Sequence, residues 1–483
     1  MESGAPDSAS PAVRDVVVLF CSLAAVMLLA SLNQTVFAPA LPSIVADLDG
    51  LDAMPWVIAA FLLGSVVTMP LYGKVSDVFG RRPLLLVAIG LFTAGSAVGA
   101  LAPGMAWLIA GRALQGLGAG GLVILSQAAI ADVVPARERG RYQGIMSSVF
   151  AVASIAGPLV GGWLVEGPGW RWTFWMNVPL GVLAAAAVVL LLRLPRPARP
   201  PDARVDVAGT LLLAVATTAV ALFTVWGGSA YAWGSPQILA LIATAVAAAA
   251  ALVLVERRVR DPLLPPWLFR ERNFVLPTFA ALCLGVAMFG VVGYLPTFLQ
   301  LSLGYGAAEA GALMIPMAAC MLVGSIVSGQ IVARTGAYRW FPICGGLLVA
   351  LGLLLLSTLR PGVPAALICV YEGLIGVGIG FSLGLLVLIV QNAFPHAVVG
   401  TATGATSLFR QIGGMLGIAV VGSVFTTRVA MLLAERGERD AVADVYGDAL
   451  APVYAVLALL GVAASVASWF VRRAPLAETV GGR

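Results

Sequence analysis

Charged side chains are few in this sequence, and one carboxyl among them lies where an ion is expensive. Glu372 sits in Cys369-Val370-Tyr371-Glu372-Gly373-Leu374-Ile375-Gly376-Val377-Gly378-Ile379-Gly380, inside a long apolar stretch. At 1.5 Å per helical residue it is about 12 Å from the outer end. A carboxyl there can exchange a proton as its surroundings alternate between wet and dry. It can equally be a static helix tie or a salt-bridge partner of Arg112. Arg112 opens a second apolar run, Arg112-Ala113-Leu114-Gln115-Gly116-Leu117-Gly118-Ala119-Gly120. Arg112 and Gln115 share one helix face. The arginine either faces a polar cavity or a partner, or snorkels to a boundary about 9 Å away. Asp132, Asp206, Glu166 and Glu309 fall near the ends of apolar stretches, where water is expected to keep them ionised.

The densest charge lies in one short loop, Gly73-Lys74-Val75-Ser76-Asp77-Val78-Phe79-Gly80-Arg81-Arg82-Pro83, which holds the chain's only lysine. Gly73 and Gly80 allow a tight reversal, and Pro83 can open the next helix. Asp77 can face a helix N-terminus or an arginine. Arg81 and Arg82 suit anionic headgroups. No catalytic cluster or metal-ligand spacing accompanies these groups. His396 is the only histidine, and the five cysteines fall in apolar spans without a C-x-x-C pair. They read as packing residues, with no disulfide framework and no cofactor.

What must position these groups is a membrane-embedded bundle. The 483 residues are 60% hydrophobic and 11% charged, against about 25% charged in ordinary soluble domains. Fourteen apolar spans can be read: 16–38, 55–71, 84–102, 106–130, 142–165, 173–192, 207–226, 236–255, 274–299, 307–332, 340–359, 364–390, 401–425 and 451–471. They predict helices, because a backbone in lipid must bond within its own segment. Lys74 and most arginines fall on one side if both termini are cytoplasmic; the other side keeps Arg171, Arg360, Arg428, Arg436 and Arg439. The charge argues for topology and against nucleic acid.

A weak repeat suggests two lobes. Gly329 to Gly336 repeats the Gly73-to-Gly80 spacing between spans ten and eleven, with Ala333 where Asp77 stands. The expected organisation is a disordered N-terminus (1–13), a six-helix lobe (14–193), a two-helix insertion with linkers (194–272), a second six-helix lobe (273–471) and a cytoplasmic tail (472–483). Span five carries Gly157, Pro158, Gly161 and Gly162. This proline–glycine run suits an interface that slides or seals, or a merely kinked packing helix. A pocket near the midplane has as candidate lining Asn33, Gln34, Gln115, Gln127, Met146, Phe289, Tyr294, Gln300, Met314 and Arg410. Asn33 offers a hydrogen bond to substrate or between helices.

The order G-K-x-S-D-x-x-G-R-R-P resembles the helix 2–3 signature loop of the major facilitator superfamily. The run around Gly157 and Pro158 resembles the antiporter signature of its exporters, with Ala153 where glycine is usual. Trp170–Gly181, Pro266–Phe274 and Gly400–Gly417 are similar to stretches of its fourteen-helix drug:proton antiporter family. The resemblance implies an all-α membrane protein of two six-helix lobes plus two inserted helices. It implies proton-driven export of amphipathic or cationic drugs, and no enzyme activity. One departure is Asn33, where many members have aspartate; a proton role there does not carry over. No G-x-x-x-x-G-K-S/T loop for ATP occurs. The expected partners are a small-molecule substrate, protons and membrane lipids, in a monomer of the bacterial inner membrane. An importer or a lipid or metabolite transporter of the same fold is the alternative, and a membrane sensor or enzyme the more distant one.

Overall fold

The computed structural model describes residues 13–48, 53–192, 206–228, 230–259, 262–360, 363–436 and 442–476. The polar N-terminus, most of the linker between spans six and seven, and the end of the tail lie outside these residues. So do the side chains of Gln34 and Pro158.

The described chain is helical, with one isolated bridge between Gly227 and Tyr231 and no strand. Its helices are α1 (Val13–Asp47), α2 (Met54–Phe79), α3 (Arg81–Ala100), α4 (Met105–Val133), α5 (Ala136–Glu166), α6 (Trp172–Trp175), α7 (Asn177–Leu191), α8 (Val207–Trp226) and α9 (Pro236–Glu256). The remainder are α10 (Arg272–Leu301), α11 (Ala307–Leu313), α12 (Ile315–Thr335), α13 (Trp340–Leu356), α14 (Ala365–Ala393), α15 (Val399–Arg436) and α16 (Val442–Trp469). Each apolar stretch read from the sequence falls on one helix or, twice, on a broken pair. Span six breaks between α6 and α7 at Met176, and span ten between α11 and α12 at Met314. Among the described residues eleven helices are long and apolar enough to cross a membrane; Ser22–Asn33 and Trp340–Leu356 are shorter apolar helices. This is a multi-pass membrane protein.

The eleven-residue loop expected from the sequence contracts to one residue. α2 runs on through Phe79, and α3 starts at Arg81. Only Gly80 is non-helical, at φ +88°, a conformation that side chains disfavour. Its N–H still bonds to Ser76 O. Asp77 is therefore held on a rigid helix, with no loose tip between it and Arg81.

The helices gather into two packed groups. Leu23, Phe92, Leu122 and Val188 belong to one core, built from α1 to α5 and α7. Leu284, Leu353, Ile375 and Tyr454 belong to another, built from α10 to α16. One close approach recurs in both. A Cβ at Gly116 or Gly120 of α4 would strike the backbone of Phe61 or Ser65 in α2. A Cβ at Gly376 or Gly380 of α14 would strike Met317 or Met321 in α12 in the same way. Small residues four apart let helix backbones touch, which is how helices associate in lipid. Between the groups α5 packs on α12, and α2 on α15. α8 and α9 pair with each other, and α8 lies across the α2–α15 seam. Reporter fusions after Ala198 and Leu264 are expected to read cytoplasmic and one near Gly228 external; a cytoplasmic signal at Gly228 would contradict α8 and α9 crossing as a pair.

Candidate functional site

At the α2–α3 end of the first helix group one carboxylate joins the two groups. Asp77, on the last turns of α2, accepts from Gly400 N (3.1 Å), Thr401 N (2.9 Å) and Thr401 Oγ1 (2.8 Å). These donors form the first turn of α15, where unpaired N–H groups and the helix dipole favour an anion. Arg81 Nη2 pairs with Asp77 Oδ1 at 2.6 Å, and its Nε donates to Asp132 Oδ2 at 3.2 Å. Nη1 reaches Ser76 Oγ. A Cβ at Gly73 would clash with Gly400 O, so that glycine is what lets α2 and α15 meet. Asp132 is buried and paired instead of standing in water, because α3 covers the end of α4. Arg82 is exposed and donates to Val189 O (2.6 Å) at the end of α7.

Asp206 also departs from the expectation of a wet boundary, and Glu256 lies beside it. Both are buried. Asp206 caps α8 by accepting from Gly209 N (2.8 Å), and Glu256 accepts from Leu264 N (3.1 Å). Glu166 and Glu309 are exposed, as expected.

Arg112 neither faces the central cavity nor snorkels. It is 3% exposed. Its guanidinium lies 4.2 Å from the Phe37 ring centroid and 4.3 Å from that of Phe61. It donates to Val57 O (3.3 Å) and Gln115 Oε1 (3.0 Å). Aromatic faces and neutral oxygens thus hold the cation, and among the described residues no carboxylate pairs with it. Gln115 Nε2 donates to Ser96 Oγ (2.7 Å) and Asn33 Oδ1 (3.3 Å), and Asn177 Nδ2 donates to Asn33 Oδ1 (3.2 Å). Asn33 therefore ties α1, α4 and α7 together. Of its two readings, the geometry matches the interhelical one. Asn33 Nδ2 has no acceptor. Asn33→Asp is expected to raise the melting temperature of the purified protein, since it removes a buried orphan donor costing about 1–3 kcal/mol and places a carboxylate near Arg112. Calorimetry showing a fall would contradict this account.

A cavity lies between the two groups, with about 120 Å³ of interior space. Of the candidate residues, Gln127, Met146, Phe289 and Arg410 line it. Asn33, Gln115, Tyr294, Gln300 and Met314 do not. Asn33 and Gln115 turn into the first group; Met314 packs on the second core at the α11–α12 break. Gln300 is exposed near the end of α10, and Tyr294 lines a separate outer pocket. Sequence reasoning missed Ser31, Ser65, Thr406, Ser407 and Gln411. A signal existed: Thr403, Ser407 and Arg410 recur at helical spacing on α15, with Thr406 and Gln411 beside them. Gln391 of α14 closes this region by donating to Gln127 O (3.4 Å) and Thr403 Oγ1 (3.3 Å).

Glu372 lies in α14, fully buried, and does not line that cavity. Neither carboxyl oxygen has a hydrogen-bond partner. The buried Tyr454 hydroxyl of α16, also unpartnered, is within its electrostatic reach. The salt bridge to Arg112 is not formed. In span five Gly157 is buried, and Gly161 sets a close approach to Val36 of α1, within its own helix group. Gly162 meets open space. These two glycines thus do not form the seam between the groups. At the C-terminal end of α1 Asp47 accepts from Arg171 (2.8 Å) and Trp170 Nε1 (3.0 Å). Those two donors hold its carboxyl below the usual range.

Comparison with known proteins agrees with this architecture. The family model described as Major Facilitator Superfamily matches residues 23–418. The chain is 39% identical over 416 residues to the MFS-type transporter Rv1877 of Mycobacterium tuberculosis (strain ATCC 25618 / H37Rv), covering 86% of this chain but only 60% of that protein. It is 34% identical to the multidrug transporter protein MdtP of Bacillus subtilis (strain 168), with coverage of 86% and 77%. It is 30% identical to multidrug resistance protein 3 of the same strain, with coverage of 83% and 78%. The solved proton:xylose symporter XylE shares the fold at a TM-score of 0.66 and 18% identity, covering 95% of this chain and 96% of that one. The human organic anion transporter MFSD10 does so at 0.65 and 17%, covering 93% and 99%. This chain belongs to the major facilitator superfamily.

Proposed function

We propose that the chain is a proton-coupled secondary transporter that exports small amphipathic compounds across the bacterial inner membrane by alternating access. The observation that carries this reading is the Asp77 contact beside the central cavity. A cavity between two helix groups, closed on one side by a contact that can form in only one state, is what alternating access requires. Contacts made in one state and lost in the other set the balance between them. The names of the B. subtilis relatives support drug-like cargo. In this reading residues 14–193 and 273–471 rock against each other, and 194–272 is inserted between them. The chain works as a monomer with both termini cytoplasmic. Glu372 carries the coupling proton.

The test is uptake into everted vesicles of a panel of dyes and antibiotics, with and without an uncoupler. Uptake that depends on the protein and collapses with the uncoupler is the expected result. Protein-dependent movement only down the substrate gradient would remove the proton-coupled reading.

A further inference from the structure

The charge around the central cavity is one-sided. Arg410 of α15 is its only charged residue among the described lining residues. It makes no hydrogen bond or ion pair among the described residues. The other described lining residues are neutral: Gln127, Gln411, several Ser and Thr hydroxyls, Phe289, and aliphatic or thioether side chains. An unpaired guanidinium in a low-dielectric cavity is costly, and it offers planar, two-pronged donation to a carboxylate, sulfonate or phosphate. The same charge repels a cationic headgroup.

Outward of this cavity lies a second space of about 380 Å³. Leu62 and Ile58 of α2, Thr224 of α8, Tyr294 of α10, and Met415 and Ile418 of α15 wall it, and no charged residue is among its described lining. The two spaces are neighbours along both helices. On α2 the lining passes from Ser65 to Leu62, and on α15 from Gln411 to Met415, about one turn each. Arg410 and Ile418 are eight residues apart, about 12 Å along the helix, the reach of an alkyl chain of roughly nine carbons. Ile58 and Ile418 keep 42% and 40% of their surface exposed, so the outer pocket is open. Its outer end, at Gly227 and Gly228, abuts Trp226, whose ring stacks edge-on against Trp56 at 5.5 Å.

We propose that the cargo is an amphipathic anion whose acidic headgroup sits against Arg410 while its apolar tail lies in the pocket between α2, α8, α10 and α15. This rests on the export reading and narrows it away from cationic drugs. It also gives α8 a role, since that helix walls the tail pocket on the face that the α2–α15 seam would otherwise leave to lipid.

The experiment compares decanoate with decyltrimethylammonium, which share a tail and differ in charge, by calorimetric binding to the full-length protein in nanodiscs. Decanoate is expected to bind at least tenfold more tightly, and hexanoate more weakly than decanoate. Arg410→Gln should remove the preference for the anion, and Arg410→Lys should keep part of it. Ala419→Phe, which fills the outer pocket, should weaken decanoate more than hexanoate. Equal or tighter binding of the cation by the unmodified protein overturns the proposal, as does binding of neither decyl probe, and neither result needs a variant. Uncoupler-sensitive export of cationic dyes together with equal probe binding would sink the anion site and leave the export reading. Anion-selective binding without uncoupler-sensitive export of any compound would do the reverse.

Discussion

Asp77→Asn is expected to lower export at least tenfold while the amount of protein in the membrane stays normal. Asp77 accepts three hydrogen bonds from the start of α15 and pairs with Arg81 at 2.6 Å. An asparagine keeps one acceptor oxygen. Its amide group then points N–H donors at other donors, and the Arg81 guanidinium loses one of its two carboxylate partners. Breaking a buried, hydrogen-bonded pair costs about 3–5 kcal/mol. Only the part that differs between conformations shifts the balance. Even about 3 kcal/mol moves a two-state population roughly a hundredfold. The contact crosses from α2 to α15, so with both termini cytoplasmic, as proposed, the loss falls on the state closed to the cytoplasm. The direct readout is a Met69→Cys reporter, made with the native cysteines replaced, since Met69 lines the cavity near the α2–α15 contact. A membrane-impermeant thiol reagent added to everted vesicles should label it faster when Asp77→Asn is also present. Normal export and unchanged labelling would show that Asp77 does not hold the closed state.

The helices were legible because they are apolar runs in a chain with little charge, and the signature loop was legible because it concentrates that charge. The geometry that follows from packing was not. Nothing in the spacing of Arg112 and Gln115 says that Phe37 from α1 and Phe61 from α2 will sandwich the guanidinium. Sequence distance gave the face, but the neighbour comes from two other helices. Asp132 and Asp206 were read as wet because they stand at the ends of apolar runs. A tertiary contact covers Asp132, with Arg81 over it, whereas Asp206 is taken up locally, capping its own helix by accepting from Gly209 N. Asn33 and Gln115 had two readings, and packing bears on which one applies. Polar residues inside spans suggested a substrate pocket, yet Gln115 and Asn177 both donate to Asn33 Oδ1 between helices. The repeat read from Gly329 to Gly336 was thin. The stronger one, Gly116/Gly120 against Gly376/Gly380, was present in the sequence as two four-residue spacings, and it becomes visible only when the opposing backbones are known.

Glu372→Gln is expected to abolish uphill export, cutting substrate accumulation at least tenfold, while leaving folding and downhill exchange intact. The carboxyl is sealed among the helices of the second group, 0% exposed, with no donor to either oxygen. An ionised, unpaired carboxylate in such a place would cost several kcal/mol. This conformation therefore accommodates the uncharged acid, and a glutamine of similar size replaces it at little cost. Glu372 can carry charge only if α14 shifts enough to admit water or a cation. A side chain that is neutral in one state and charged in the other links proton binding to the conformational cycle, with every 1.4 kcal/mol of difference worth a factor of ten in proton affinity. Asn33 cannot take that part, and Asp77 and Asp132 are already committed to Arg81. The decisive comparison pairs uphill accumulation with counterflow exchange in the same proteoliposomes. Counterflow should survive in the variant, because it needs the conformational change but no net proton movement. A Glu372→Gln protein that still accumulates substrate and still responds to an uncoupler would place the coupling proton elsewhere, with Asp77 and Asp132 the next residues to replace.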